Sequence, residues 1–185
     1  MKKFFGILSV VAALFVANGA QAQVTTPVFD KGDNIVSLTI GYGGLGFSQR
    51  LVYERCVATF LDGRASIGVG GSLSNSFKSK TEKYSDYKIK TFEDWFAVGA
   101  VGSFHYQFID NLDTYVQIGL GGGFDHGSAK STVDGVTVKA TDSVGFFGWT
   151  GSLGARYYFN DQWGVNAELG YVVGSFFMAG ATFRF

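Results

Sequence analysis

The sequence predicts an all-β fold, an eight-stranded antiparallel up-and-down transmembrane β-barrel, and three observations lead to this prediction. Eight segments alternate apolar with small polar side chains, which is the period of two that β-strands show. Tight-turn sequences recur at nearly regular intervals, namely Leu61-Asp62-Gly63, Asp110-Asn111 and Asn160-Asp161. Glycine supplies 27 of the 185 residues and aromatic residues supply 17%, a combination that suits strands bending around a tight closure.

The alternation defines the strands one by one. In the fourth segment, for example, Phe96, Val98 and Phe104 fall on one face, with Ser103 and His105 on the other. The turn sequences join strands at one end of the barrel, so the other connections lie at the opposite end. These are two long loops at 76–92 and 125–143 and short connections near 43–49 and 173–176. The predicted strands are 34–43, 49–59, 64–75, 93–108, 113–124, 144–159, 163–173 and 176–185.

The composition of the two strand faces predicts that the barrel lies in a membrane. Spanning strands need about 9–11 residues, which the segments provide. A soluble eight-stranded barrel directs its bulky apolar face inward. Here the second face is mostly Gly, Ser, Thr and Asn and lacks the volume for an apolar core. Such small polar side chains suit the cramped interior of an eight-stranded membrane barrel, whose aromatic face meets lipid. A secreted soluble barrel is the alternative.

The N-terminus has the pattern of a secretory signal peptide over residues 1–22. Lys2 and Lys3 precede a short apolar run, and Ala20-Gln21-Ala22 predicts cleavage between Ala22 and Gln23. The barrel domain then occupies 23–185. Without the two N-terminal lysines, 13 of the 15 basic residues remain against 15 acidic ones, a net charge of −2 that indicates no nucleic-acid partner.

Several charged residues are expected to face the barrel interior near the short turns. An unpaired charge in a narrow, partly dry interior is very costly, so the acids and arginines are expected to pair. We interpret them as a salt-bridge plug that blocks conduction; the alternative is that they only fill the barrel and fix its register. The alternation of side chains along the second strand places Arg55 on the lipid-facing side, near a membrane interface. His105 has no second histidine or cysteine at metal-ligand spacing, so we expect no metal site, and we expect no cofactor. The interior candidates are Glu54, His105, Arg156, Glu168 and Arg184.

The predicted loop 76–92 is basic. Its segment 78–90 has five lysines against Glu82 and Asp86, a local charge of +3. Lipopolysaccharide phosphates are one anionic partner for such a loop, and two tyrosines add aromatic surface for an extracellular ligand or a host surface. An ordinary solvated loop is the alternative. The candidate residues are Lys78, Lys80, Lys83, Tyr84, Tyr87, Lys88 and Lys90.

The mature chain resembles the small outer-membrane β-barrel proteins of Gram-negative bacteria, the eight-stranded OmpA/OmpX-like superfamily. The stretches that carry the resemblance are 31–34 (KGDN), 52–54 (VYE), 66–71 (SIGVGG), 154–159 (GARYYF) and 167–171 (AELGY), together with the terminal phenylalanine. The resemblance implies periplasmic termini, extracellular long loops and contact with outer-membrane lipids. It also implies that Phe183 and Phe185 form the signal that barrel-assembly machinery reads.

Two classes of function remain open. A structural or surface-interaction barrel that displays 76–92 and 125–143 is the first, and a narrow passive pore for small solutes is the second. Eight strands leave an interior just filled by side chains, which disfavours transport. A lipid A-modifying enzyme is a less favoured alternative. His126-Gly127-Ser128 resembles the His-x-Ser pair of outer-membrane lipid A deacylases, but the rest of that pattern is missing, so no catalytic residue is assigned.

Overall fold

The structure, a computed structural model, describes residues 26–84, 87–133, 136–172 and 174–185. The predicted signal peptide 1–22 and its cleavage site lie outside these ranges. Within the described ranges, no helix has the length and hydropathy needed to cross a membrane. The strands are β1 Asn34–Gly43, β2 Gly46–Phe60, β3 Ala65–Lys83, β4 Tyr87–Ile109, β5 Leu112–Val133, β6 Val136–Tyr158, β7 Trp163–Val172 and β8 Ser175–Arg184.

The eight strands form one closed barrel. Each strand pairs antiparallel with its neighbours in sequence, and β1 pairs with β8 to close the ring. Val36 lies opposite Phe183 across this seam. Beyond it, Asn34 and Phe185 exchange both main-chain hydrogen bonds at 2.9 Å. The last strand therefore has no free edge of the kind that promotes aggregation, and the predicted fold class is confirmed.

The two ends of the barrel carry different connections. At the turn end lie the start of β1, the end of β8 and the three predicted tight turns. Leu61, Asp62 and Asn111 in these turns have φ of 53°, 55° and 64°. This left-handed region is entered most easily by glycine, asparagine and aspartate. The other four connections lie at the opposite end, termed the hairpin end, and both connections that flank β1 and β8 there are short, as predicted.

Burial is reversed relative to a soluble barrel. Outward side chains are large and apolar, such as Leu38, Ile118 and Phe147, which are 55%, 61% and 79% exposed. Inward side chains are polar and closely packed, and Glu54 and Arg156 are both 0% exposed. Since so much exposed apolar surface requires an apolar solvent, the outward surface fits a bilayer.

Aromatic rings collect at two levels of the outward surface. One group, the turn-end belt, and a second group, the hairpin-end belt, are separated by outward aliphatic residues, as at the two interfaces of membrane barrels. Neighbouring rings touch within each level: the ring centroids of Trp163 and Phe183 are 4.8 Å apart and those of Phe96 and Phe124 are 5.6 Å apart. The turn-end belt contains Phe60, Tyr157, Phe159, Trp163, Phe183 and Phe185, and the hairpin-end belt contains Tyr42, Phe96, Phe124, Phe147, Trp149, Tyr171 and Phe177.

Four strands are longer than the sequence pattern predicts. The expectation of long loops at 76–92 and 125–143 was wrong, because β3 to β6 continue through these regions as paired strands. Their continuations beyond the hairpin-end belt, 78–83, 87–93, 127–133 and 136–142, form a four-stranded sheet that we term the extended sheet. Both of its faces carry polar residues, so the apolar alternation that marks the other strands is absent.

Glycine allows neighbouring strands to approach closely inside the barrel. A Cβ added to Gly70 would lie 1.8 Å from the carbonyl oxygen of Tyr53, and one added to Gly123 would lie 1.8 Å from that of Phe96. No other residue fits at these positions without moving the backbone of the adjacent strand. By contrast, a Cβ on the outward Gly102 would meet no atom within 4 Å.

Candidate functional site

Three charged side chains meet inside the barrel near the turn end. Arg156 donates hydrogen bonds to Glu54 and to Asp113, whose Oδ2 lies 3.4 Å from Nη1. The β5–β6 register places Asp113 opposite Arg156, and Glu54 reaches the same point from β2. All three side chains are at most 2% exposed, so the ion pairs offset a desolvation cost that none of these groups could bear alone.

His105 connects the two carboxylates of this group. Its Nδ1 lies 2.9 Å from Asp113 Oδ2, and its Nε2 lies 2.8 Å from Ser103 Oγ and 3.5 Å from Glu54 Oε1. Ser103 in turn donates a hydrogen bond to Glu54. Both ring nitrogens therefore face oxygen atoms, an arrangement that suits an imidazolium with two N–H donors.

A second charged group lies next to the first, toward the hairpin end. Arg50 donates from Nη1 to Glu168 Oε2 at 3.1 Å and from Nη2 to Gln117 Oε1 at 2.8 Å. The hydroxyl of Tyr115 donates to the other oxygen of Glu168 at 2.8 Å. Both lone-pair regions of this buried carboxylate thus have a partner, which is what a charge in a dry interior requires.

Tyr115 joins the two groups into one network. Its hydroxyl contacts Glu168, while the guanidinium carbon of Arg156 lies 4.1 Å from the centre of its ring, a cation–π contact. The network holds two arginines, three carboxylates and one histidine, so it is neutral when the imidazole is protonated. Contacts cross the barrel between β2, β4, β5, β6 and β7, which fixes the relative positions of these strands.

The structure brings four of the five predicted interior residues together: Glu54, His105, Arg156 and Glu168. It adds two charged members that the sequence analysis missed. Arg50 lies four residues before Glu54 and has its inward parity, and Asp113 has the parity of the inward Tyr115. The signal was therefore present in the alternation, but Arg50 stood at the margin of a predicted strand and Asp113 stood beside a predicted turn.

Arg184 does not join the network, so its expected pairing with the interior acids was wrong. It donates from Nε to the carbonyl of Asp161 at 2.9 Å and also to the carbonyl of Val28, and its guanidinium carbon lies 5.2 Å from the Tyr158 ring centre. The arginine sits at the turn-end rim because β8 ends there, below the level of Glu54 and Glu168.

The chain before β1 covers the turn end of the barrel. Val28 and Phe29 are 5% and 3% exposed. The main-chain N–H of Val28 donates to Gln107 Oε1 at 2.8 Å, and Gln107 Nε2 donates back to the carbonyl of Thr26 at 3.0 Å. The Phe29 ring packs against His105 with a centroid distance of 4.6 Å. An apolar side chain therefore lies directly below the charged network.

Lysines form a row across the extended sheet. The register places Lys90 opposite Lys130 and Lys130 opposite Lys139. Directly opposed residues share a face, and this is the outward one, because Lys90 lies an even number of positions from the outward Phe96. One step further from the membrane, Lys83 lies opposite Lys88 on the same face. All five lysines are exposed, and none of their ammonium groups has a hydrogen bond or ion pair within the described ranges.

The other face of the extended sheet carries the acids and the remaining candidates. By parity it holds Glu82, Glu93 and Asp142 with Lys78 and Lys80. Lys80 Nζ lies 2.6 Å from Glu82 Oε1, and this hydrogen bond lowers the pKa of the Glu82 carboxyl. Lys78 donates to the carbonyl of Gly44 at 3.1 Å. The rings of Tyr84 and Tyr87 stack with centroids 4.6 Å apart. Charge is thus segregated, with unpaired lysines outward and paired ones inward.

His126 and Ser128 lie on the outward face of β5, as parity predicts. Within the ladder, His126 is opposite Asp94 on β4, and Ser128 is opposite Phe92. The pair stands on a continuous strand and not at a loop entrance.

Sequence and structure comparisons agree with this architecture. Residues 8–182 match the family model described as the outer membrane protein beta-barrel domain. The chain belongs to this family. It is thus an outer-membrane β-barrel protein. No curated protein sequence matches the chain.

Three solved structures illustrate what this family member is similar to. Ail, the attachment invasion locus protein of Yersinia pestis, solved in complex with the heparin analogue sucrose octasulfate, has 17% identity and a TM-score of 0.51, with 84% of this chain and 100% of that chain covered. Neisserial surface protein A has 13% identity and a TM-score of 0.35, with 82% and 93% covered. The N-terminal β-barrel domain of Pseudomonas aeruginosa OprF has 13% identity and a TM-score of 0.31, with 84% and 98% covered.

Proposed function

We propose that this outer-membrane barrel is a surface-interaction protein that binds an anionic glycan through the outward lysines of its extended sheet. The single observation that carries the proposal is the row formed by Lys90, Lys130 and Lys139. In this proposal the hairpin end is extracellular and the termini are periplasmic. The signal peptide is removed between Ala22 and Gln23, and Phe183 and Phe185 direct assembly.

The lysine row is unfavourable for the free protein. Like charges directly opposite one another destabilise a sheet, and strands lie about 4.8 Å apart, so the three ammonium groups repel at short range. An anion lying across the row removes this repulsion. The row spans about 10 Å over three strands, which suits a chain with several sulfate or phosphate groups better than a single small anion.

Heparin is a suitable probe of this surface. The similarity to Ail extends to the fold, and the sulfated ligand of that protein indicates which reagent to test first. The ligand class for this chain rests on its own lysines. Lipopolysaccharide is also an anionic glycan, because its headgroup carries phosphates. In the outer leaflet these headgroups lie beside the outward face of a barrel.

The test compares two double variants on opposite faces of one sheet. Lys90→Ser with Lys130→Ser removes two members of the outward row, whereas Lys78→Ser with Lys80→Ser removes the same charge from the inner face, where both lysines already have partners. Proteoliposomes of each are passed over immobilised heparin and over immobilised lipopolysaccharide at fixed ionic strength. We expect the outward pair to lose affinity for at least one of these ligands and the inner pair to retain it. Equal losses, or no binding by the wild type, would overturn the proposal.

We also propose that the interior does not conduct, which disfavours the passive-pore alternative. The support is the neutral network around Glu54, Arg156 and Glu168, with Phe29 packed below it. No catalytic role is proposed for His126 and Ser128, whose support is limited to their spacing.

A further inference from the structure

The barrel contains a mainly apolar cavity between the charged network and the extended sheet. Its volume is about 370 Å³. Glycines on the inward faces of β4, β5 and β6 create the space, including Gly99, Gly121 and Gly148. A Cβ added to Gly148 would meet no atom within 4 Å, so the wall is open at this position. Cavities of this size and lining are typical of small-molecule sites.

The cavity reaches a gap in the barrel wall. β6 pairs with β7 only from Gly151 to Tyr158, because β7 ends at Val172. Within the described ranges, residues 144–150 of β6 therefore have no strand partner on that side. Trp149 and Tyr171, whose ring centroids are 5.8 Å apart, line both the cavity and this gap and belong to the hairpin-end belt. The opening thus faces the outer edge of the bilayer.

The lining indicates the chemistry of the occupant. Leu45, Trp95, Ala97 and Phe146 contribute apolar surface. Ser72, Ser74 and Thr150 add hydroxyl groups, and the charged side chains of the network do not line the cavity. Apolar surface predominates in this lining, and such surface holds water poorly. At the gap, the edge of β6 over 144–150 has main-chain N–H groups with no partner strand within the described ranges. In the cavity lining, the buried Nε1 of Trp95 also has no hydrogen-bond acceptor among the described residues. A ligand with an apolar tail and ester oxygens at its head satisfies both regions.

We propose that this cavity takes one acyl chain of an outer-membrane lipid, which enters sideways between β6 and β7. The chain fills the glycine-lined space, and the ester group of the lipid accepts hydrogen bonds at the edge of β6. The site is separate from the outward lysine row and does not depend on glycan binding.

Tryptophan quenching tests this proposal. Trp149→Phe with Trp163→Phe replaces two outward rings and leaves Trp95 as the only tryptophan. This double variant is inserted into phosphatidylcholine vesicles with brominated acyl chains, which quench indole fluorescence on contact. A second substitution, Gly148→Leu, fills the cavity, and Gly102→Leu is the matched control on the lipid-facing surface, where an added Cβ also meets no atom.

We expect Trp95 to be quenched by the brominated chains, to lose part of that quenching in Gly148→Leu and to keep it in Gly102→Leu. Equal quenching in all three proteins would overturn the proposal. Folding is checked by heat-modifiable gel mobility. If Gly148→Leu does not fold, the variant with Trp95 as its only tryptophan is sufficient for the test. Strong quenching of Trp95 by aqueous iodide, with weak quenching by brominated lipid, would show a water-filled cavity and refute the acyl-chain proposal.

Discussion

Replacing Arg156 by methionine should destabilise the barrel strongly, because it leaves two buried carboxylates short of a partner. Arg156 is 0% exposed and contacts both Glu54 and Asp113. Breaking a buried ion pair costs about 3–5 kcal/mol. Glu54 keeps Ser103 and His105 as partners and Asp113 keeps His105, so the lower end, about 3 kcal/mol, is expected. This corresponds to roughly two powers of ten in the unfolding equilibrium constant.

The assay is reversible guanidinium unfolding of the barrel in phospholipid vesicles, with Arg55→Met as the control. Arg55 precedes Cys56 on the same strand but faces outward and is exposed, so its loss should change the free energy of unfolding by less than about 1 kcal/mol. Adding Glu54→Gln to Arg156→Met should recover part of the loss, because one uncompensated charge is then removed. If Arg156→Met costs no more than Arg55→Met, the network does not carry the stability assigned to it.

Three further predictions address closure, packing and assembly. Planar-bilayer recordings of the wild type should show no stable single-channel steps; substantial, persistent conductance would contradict a closed interior. Gly70→Val should lower the free energy of unfolding by roughly 1–3 kcal/mol, because the new side chain meets the Tyr53 carbonyl. Gly102→Val, where an added Cβ meets no atom, should be nearly neutral. Equal effects of the two substitutions on unfolding in vesicles would refute this packing argument. Deleting Phe185 should lower the yield of folded protein in outer-membrane fractions, whereas an unchanged yield would remove its assembly role and leave the fold intact.

The barrel itself could be predicted from the sequence because one physical rule governs most of the chain. Where a strand separates lipid from a crowded interior, its side chains must alternate, and this alternation located Glu54, Arg156 and Glu168 on the inner face. The same rule fails beyond the hairpin-end belt. In the extended sheet both faces are polar, so strands such as 78–83 look like loops in the sequence.

The partners of each charge were harder to predict than their direction. Pairing across the barrel depends on strand stagger and closure, which the alternation does not report. Arg50 was missed although its parity matches that of Glu54, and Arg184 was assigned to the interior although β8 ends at the rim. The lysine row could not be found from a charge count, because Lys90, Lys130 and Lys139 come from three strands and meet only through the register.

Lysine footprinting tests the proposed interaction surface most directly. Proteoliposomes are acetylated with and without bound heparin, and the modified lysines are quantified by mass spectrometry. We expect heparin to protect Lys90, Lys130 and Lys139, while Lys78 and Lys80 react equally in both samples. Protection of the inner-face lysines, with the outward row fully reactive, would contradict it.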